Sequence, residues 1–349
     1  MTKLFATGCT GYIGGDALYA IAHAHPEYDI TCLVRNSDKG AVIATEYPKI
    51  RLVYGDLDSS ELLEEEARKA DVVCHFANAD HEGAAIALIK GLVSHSSSGP
   101  AYYIHTSGTG ILTFGDVERQ TFGEASAKIY NDYENVSEVT SLPDAASHRN
   151  VDKIVLKAAA EHGEEVKIAI VCPPTIYGQG RGPGNKRSLQ VPELCRATIE
   201  KGHGIQVGAG KAYWTEVHVH DLSDLYLKLF EAAVAGGRPA TWGVEGYYFA
   251  ENGEFAWGDV AKSVAHAAYK QGYIQEDKVE RYEFEAANNV SHMGGRLWGA
   301  NSRPRAVRAR KLLGWTPKGK SLKDEVPETV SVEAKRMGKG HAAVAAGDA

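Results

Sequence analysis

The stretch LFATGCTGYIGGDALYAI, residues 4–21, constrains this chain more than any other. Gly8, Gly11 and Gly14 recur at intervals of three, after a short apolar run and at the start of a helical pattern. A turn of this kind needs one glycine for its tightness, one so that backbone can approach a phosphate, and one so that helix and strand can pack. The helix start then offers free N–H groups and the positive end of its dipole to an anion. Several strand and helix patterns follow in alternation, which makes the motif specific for a dinucleotide.

Six apolar, β-rich runs read as strands: KLFAT (3–7), DITCLV (29–34), IRLVY (50–54), DVVCHF (71–76), AYYIHT (101–106) and VKIAIV (166–171). Helical patterns at Asp16–His25, Glu61–Lys69 and Ala84–His95 lie between them. The alternation predicts an α/β fold, a Rossmann-type doubly wound parallel sheet. After Val171 the texture changes to a Gly- and Pro-rich loop, CPPTIYGQGRGPGNKRS, then a helix at Val191–Lys201, a strand ending in EVHVHD and a helix at Leu222–Ala235. We expect a nucleotide-binding domain over 1–172 and a smaller C-terminal substrate domain over 173–335. The strand near 216–220 and its following helix should return to the first domain. Residues 336–349 are small and polar and should form a disordered tail.

At 349 residues with a net charge of −7, the chain has no basic block to hold nucleic acid. No run of about 18 apolar residues predicts a membrane span, and MTKLFATG enters a strand without an apolar signal region. Its five cysteines, Cys9, Cys32, Cys74, Cys172 and Cys195, form no CxxC pair. Buried reduced thiols and a cytoplasmic location follow as expectations. The partners expected are a small-molecule substrate and, at most, a second copy of the chain.

The end of the second strand bears on the nucleotide. An acid there suits the ribose 2′-hydroxyl of NAD, whereas a guanidinium suits a 2′-phosphate. This chain has Arg35, with Lys39 nearby, so NADP(H) is expected and NAD(H) is the second choice; Asp38 keeps it open. Asp56 and Leu57 in YGDLDS are placed to meet the adenine.

Together TGCTGYIGG, GDL, HFANA, TSGT, the lysine of NVDK, PPTIYG, VHVHDLSDLY and ARKLLGWTPK resemble the extended short-chain dehydrogenase/reductases, the NAD-dependent epimerase/dehydratase family. The matches span about residues 3–320. HTSGTGIL, HRNVDK and CPPTIYGQGRGPGN are similar to a fungal subgroup with reductases of secondary metabolism. The resemblance implies that Gly8, Thr10, Gly11, Tyr12, Ile13 and Gly14 hold the nucleotide and that Phe76, Ala77 and Asn78 lie along it. It further implies that Lys153 holds the nicotinamide ribose and that Pro173, Thr175 and Ile176 pack by the nicotinamide.

Three departures stand out. Asn78 puts an amide where the family has a methyl. The catalytic Ser/Thr is either Ser107 or Thr109. The tyrosine four residues before the lysine is absent, and Arg149 stands there. Arginine stays charged and cannot donate a proton near neutrality, but it can hold an oxyanion. His148 can act as an acid. Tyr130 or Tyr133 can supply a displaced phenol, whereas the family counterpart of Tyr177 is structural. His218 and His220 would share a strand face beside Asp221, but no metal is expected. Trp214 and Trp298 are candidates for the pocket wall or the core.

Hydride addition to an enone gives a stabilised enolate, which needs a proton donor less than an alkoxide does. The expected activity is therefore an NADPH-dependent reductase of a carbonyl or conjugated enone in an aromatic or polyketide-like molecule. The alternatives are an epimerase, dehydratase or lyase that uses bound nucleotide, or a non-catalytic NADP sensor.

Overall fold

The computed structural model describes residues 2–95 and 99–339. Seven strands form one parallel sheet. They are β1 (Lys3–Thr7), β2 (Asp29–Val34), β3 (Arg51–Tyr54), β4 (Val72–His75) and β5 (Ala101–Thr106), then the strands Val166–Cys172 and Tyr247–Phe249. Their order across the sheet runs from Tyr247–Phe249 through Val166–Cys172 and β5 to β4, β1, β2 and β3. Chain order reverses at β1 and β4, which pair from Leu4–Val72 to Thr7–His75. In an open α/β sheet such a reversal opens a crevice at the carboxyl ends of the strands. The strands are near-continuous apolar runs because helices cover both faces. Leu4, Phe5, Cys32, Val73, Cys74, Tyr103 and Ile104 are all buried.

Helices α1 (Tyr12–Ala24), α2 (Ser37–Glu46), α3 (Ser60–Lys69) and α4 (Glu82–Val93) connect the first five strands. The sequence pattern started α1 at Asp16, four residues late, because its N-cap is Gly11 and no side chain caps it. The expected strand and helix at the second half also shift. The strand is Tyr213–His218 and the helix is Val219–Val234. His218 ends the strand and accepts from the His220 N–H as the helix cap.

A second apolar cluster gathers Val191, Leu194, Trp214, Trp257, Val264, Trp298, Leu322 and Val326. These come from the helices Gln190–Lys201, Trp257–Lys270 and Leu322–Arg336 and from short strands. The smaller C-terminal unit is built around this cluster. The helix Val219–Val234 instead contributes Leu222, Leu225, Tyr226, Leu229 and Phe230 to the main core. Arg336 closes the last helix, and the Met337 N–H still bonds to the Glu333 carbonyl. Of the expected disordered tail, residues 340–349 lie outside the described residues.

Candidate active site

The Gly-rich turn sits where strand order reverses. Gly8 has φ +78°, and a β-carbon there would lie 2.7 Å from the Ala77 nitrogen. A β-carbon on Gly14 would come within 2.5 Å of the Gly8 carbonyl oxygen and 2.7 Å of the Phe76 β-carbon. Only glycine lets the turn, α1 and the end of β4 approach this closely. With no side-chain cap on α1, its first N–H groups remain available to an anion. This cradle fits a dinucleotide pyrophosphate.

A cleft of about 560 Å³ opens beside the turn. It brings together Tyr12, Ile13, Phe76 and Ile176 from the expected cofactor set, with Arg187 and Arg336 also on its wall. The segment 178–187 packs across the turn. Asn185 N–H donates to the Thr10 carbonyl at 2.9 Å, and the Tyr12 hydroxyl donates to the Gly178 carbonyl at 2.6 Å. Arg181 reaches Asp16 on α1 through its backbone N–H (2.7 Å) and through Nη2 (2.6 Å). Asp16 is fully buried. Burial alone would raise its carboxyl, but hydrogen bonds from Arg181 and Ser223 outweigh that and hold it below the ordinary range.

The remaining expected cofactor residues are scattered more widely. Arg35 and Lys39 are exposed beyond β2, and Asn36 caps α2 by accepting from the Lys39 N–H. Asp56 is exposed and accepts from the Ser59 hydroxyl, while Leu57 packs on the core. Ala77 abuts Gly8. The Pro173 carbonyl accepts from the Thr109 N–H, and Thr175 is buried.

The helix Arg149–Glu161 buries Val151, Asp152, Val155, Ala158 and Ala159. Asp152 thus lies on the stripe that faces the sheet, and His148 caps the helix just before it. Asp152 is 1 % exposed, and its Oδ2 accepts from the Ser107 hydroxyl (3.1 Å) and the Tyr247 hydroxyl (3.2 Å). Its Oδ1 has no partner and lies 3.9 Å from His105 Nε2, also without one. Burial pushes the Asp152 carboxyl up to about 6, against the lowering hydrogen bonds of Ser107 and Tyr247. Burial, with His75 next to it, drives His105 well below the usual imidazole range. Thr109 is 1 % exposed and its hydroxyl has no partner, so Ser107 is the engaged member of the pair.

His148 adopts a left-handed backbone, φ 62°, as the helix cap. Its Nδ1 lies 2.9 Å from the Asp80 carboxylate. Its Nε2 would lie 3.1 Å from a β-carbon on Gly108 and 3.3 Å from one on Gly110, so both glycines make room for the ring. Arg296, reaching across from the helix Gly294–Gly299, donates to Thr113 Oγ1 and the Gly110 carbonyl (both 2.9 Å) and to Ser147. Arg149 Nε donates to the Leu142 carbonyl at 2.8 Å, while its Nη1 is buried without a partner. The Lys153 ammonium is 2.7 Å from Asp144, and both side chains are largely exposed. The structure thus groups His148, Asp80, Ser107, Asp152 and Arg296, brings the Arg149 guanidinium close enough to favour the charged Asp152, and leaves the Lys153 ammonium at Asp144.

Other candidates resolve into structure. Tyr130 pairs in a short strand with Pro304, and Tyr133 lies under Arg308 and Lys311. The Tyr177 hydroxyl donates to the Lys320 carbonyl. His220 reaches the Gln179 carbonyl, so the two histidines do not line one strand face. Among the described residues no cluster of three or more His, Cys, Asp or Glu is arranged to hold a metal. Trp214 and Trp298 belong to the second core. All five cysteines are buried and unpaired. No helix among the described residues is long and apolar enough to cross a membrane.

Residues 4–244 match the family described as the NAD dependent epimerase/dehydratase family. The chain is 41 % identical over 343 residues to "Oxidase ucsJ" from Acremonium sp., covering 96 % of this chain and 99 % of that one. Among solved structures it is similar to DesIV, a dTDP-glucose 4,6-dehydratase from Streptomyces venezuelae with NAD and TYD bound (TM-score 0.66, 17 % identity, 97 % and 98 % of the two chains). It is also similar to the dTDP-glucose 4,6-dehydratase of Bacillus anthracis in complex with NAD (TM-score 0.65, 17 % identity, 97 % and 98 %).

These findings correct three expectations. The expectation of NADP(H) is corrected: the matched family is described as NAD dependent, the two dehydratase structures hold NAD, and Arg35, the basis of the other choice, is exposed. The expectation of an NADPH-dependent reductase of a carbonyl or enone is overturned by the match to the NAD dependent epimerase/dehydratase family. The assignment to secondary metabolism, which rested on the likeness of three motifs to a fungal subgroup, is corrected with it: the family match over residues 4–244 carries no such assignment. A Rossmann sheet, a dinucleotide turn at the strand reversal and a match over residues 4–244 lead to one statement: the chain belongs to the NAD-dependent epimerase/dehydratase family.

Proposed function

We propose that this chain is an NAD(H)-dependent enzyme of the epimerase/dehydratase type, which oxidises a carbinol of a nucleotide sugar and uses His148 as the proton acceptor. The observation that carries the reading is the position of His148: its Nδ1 is engaged by Asp80 and its Nε2 is directed over the Gly108–Gly110 segment. Bound NAD⁺ supplies reversible two-electron oxidation. The turn at Gly8, Gly11 and Gly14, with Tyr12, Ile13 and Phe76, would hold it.

In this mechanism His148 Nε2 receives the hydroxyl proton as the carbinol becomes a carbonyl, and returns it when the carbonyl is reduced. Ser107 donates its hydroxyl to Asp152, so its oxygen is left to accept from a neighbouring hydroxyl of the sugar and orient the ring, while the reacting hydroxyl donates to His148. Arg296 adds positive potential beside the developing oxyanion. Arg187 on the cleft wall is held by Glu193 and Glu333, which leaves the more exposed Arg336 to meet a phosphate, and the dehydratases of similar fold support a nucleotide sugar. The fungal subgroup that lacks the tyrosine is the finer placement, supported by the Acremonium relative.

The test is to load the purified protein with NAD⁺ and supply dTDP-glucose and UDP-glucose, following NADH absorbance and product structure. An epimerised or dehydrated product, with a loss of about 10²–10⁴ in rate for His148→Ala, is expected. Unaltered sugars with both nucleotides refute the substrate class. A second reading is net oxidation, favoured by the printed name of the 41 % identical relative. It predicts stoichiometric release of NADH, whereas epimerisation returns the hydride.

A further inference from the structure

Two departures from the family pattern, the amide at Asn78 and the missing tyrosine, meet in one place. Asn78 Oδ1 accepts from the Asp80 N–H at 3.1 Å, and the Asn78 carbonyl accepts from the His81 N–H at 3.3 Å. The side chain thereby folds residues 78–81 into a tight turn at the end of β4. Asn150, on the helix that follows His148, fastens the same turn from the other side by donating to the Asp80 carbonyl (3.2 Å) and to Glu82 (3.1 Å). The turn presents the Asp80 carboxylate to His148 Nδ1 at 2.9 Å. Without the carboxamide at 78, nothing in the side chains of this loop would aim Asp80 at the imidazole.

We propose that Asp80, aimed by Asn78, is a positioning residue that fixes His148 in the tautomer with the proton on Nδ1, leaving Nε2 free as the base. The inference deepens the proposed function, because it makes a histidine serve where the family uses a phenol. A neutral imidazole carries one proton, and the nitrogen that donates determines which one accepts. A carboxylate can only accept, so a hydrogen bond between Asp80 and Nδ1 requires the proton on Nδ1. The His148 hydrogen bond in turn holds the Asp80 carboxyl below its ordinary range. The left-handed backbone of His148 is a strained conformation for a residue with a β-carbon. It is the conformation that turns the ring toward Asp80 on one side and the two glycines on the other. Arg296 adds a cation near Asp80 and keeps the carboxylate ionised.

The test needs no substrate. Protein labelled with ¹⁵N-histidine is studied by long-range ¹⁵N–¹H correlation well above the imidazole titration range. The His148 signals are identified by their loss in His148→Asn, chosen because asparagine tolerates the left-handed backbone. The Nδ1–H form should dominate by at least about tenfold, the smaller end of what one charge-assisted hydrogen bond gives. Asp80→Ala should lower that ratio by at least about tenfold, while Asp80→Asn, whose amide oxygen still accepts, should restore most of it. Asn78→Ala should move the ratio in the same direction as Asp80→Ala. The Asp80 side chain is half exposed, and each variant keeps both the bond from the His81 N–H to the Asn78 carbonyl and the bond from Asn150 to the Asp80 carbonyl, so these variants should stay folded. A dominant Nε2–H form, or a ratio unmoved by Asp80→Ala, overturns the proposal. Because the readout is the resting protein, a failed sugar assay leaves this result standing, and a failed tautomer result leaves the reaction class standing.

Discussion

Replacing Asp152 by asparagine should stabilise the protein at pH 8 while it damages the site. The carboxyl is sealed at 1 % exposure, with one oxygen accepting from Ser107 and Tyr247 and the other facing His105 Nε2 without a partner. Burial pushes it up to about 6. An unfolded aspartate titrates near 3.9, so the difference is roughly two units, or about 3 kcal/mol. The sign follows from which state holds the proton. Between pH ~4 and ~6 the folded protein retains a proton that the unfolded chain has released, so stability falls as pH rises through this window. Above about pH 6 the full penalty of a buried carboxylate is present. Asparagine carries no charge, its oxygen can still accept from Ser107 and Tyr247, and its NH₂ can face His105. Urea unfolding at pH 8 should therefore show Asp152→Asn more stable by about 1–3 kcal/mol, with the gap closing below pH ~4. Asp132, pushed up to about 6 by its own burial, is common to both proteins and cancels in the difference. A variant no more stable than the parent at pH 8 would refute the strain argument. So would a gap that grew on acidification.

Three further outcomes are expected. Gly14→Ala should weaken NAD⁺ binding at least about tenfold by calorimetry, because its methyl meets the Gly8 carbonyl and Phe76 and must displace backbone; unchanged affinity would show that the turn yields. Arg181→Ala should cost roughly 2–3 kcal/mol in urea unfolding, below the usual range for a broken buried pair because Arg181 is one-third exposed and Ser223 still serves Asp16. That contribution is present above the unfolded carboxyl's titration and is lost as pH falls through the depressed folded value, so the parent and the variant should converge in acid. Finally, NAD⁺ should bind more tightly than NADP⁺, and Arg35→Ser should leave NAD⁺ affinity within about twofold, since Arg35 is exposed.

The strands were legible because parallel strands covered on both faces leave unbroken apolar runs, and β1, β2 and β5 begin and end where the runs do. The start of α1 was not, because Gly11 gives no side-chain capping signal. The helix at 149–161 is legible from its apolar spacing, but the burial of Asp152 within it is not. Lysine and arginine at a spacing of four looked like the family pair. The buried stripe through Val151 and Val155 takes in Asp152 as well, and the left-handed cap at His148 sets that ring toward Asp80. An aspartate is so rarely buried that its sequence gives no warning. Asp80 and Arg296 were missed for a different reason. Their contacts join residues 68 and 186 positions apart, at His148 and Gly110, and no local pattern carries such a pairing.

The strand Tyr247–Phe249 lies along Val166–Cys172, and its three residues pair with Ile170, Val171 and Cys172. The chain leaves the sheet after Cys172, builds the first part of the second core, comes back to seal the sheet's open side, and then completes that core from Trp257 onward. A fragment cut at residue 172 would end with a bare, apolar ribbon of unmatched N–H and C=O groups, a ready template for another copy. It would also lack the helix Val219–Val234, whose Leu222, Leu225 and Phe230 fill the floor beneath α1. The two halves of this protein are therefore separable in space but not with a protease or a stop codon. Such a truncation should be recovered as aggregate rather than as a small nucleotide-binding protein.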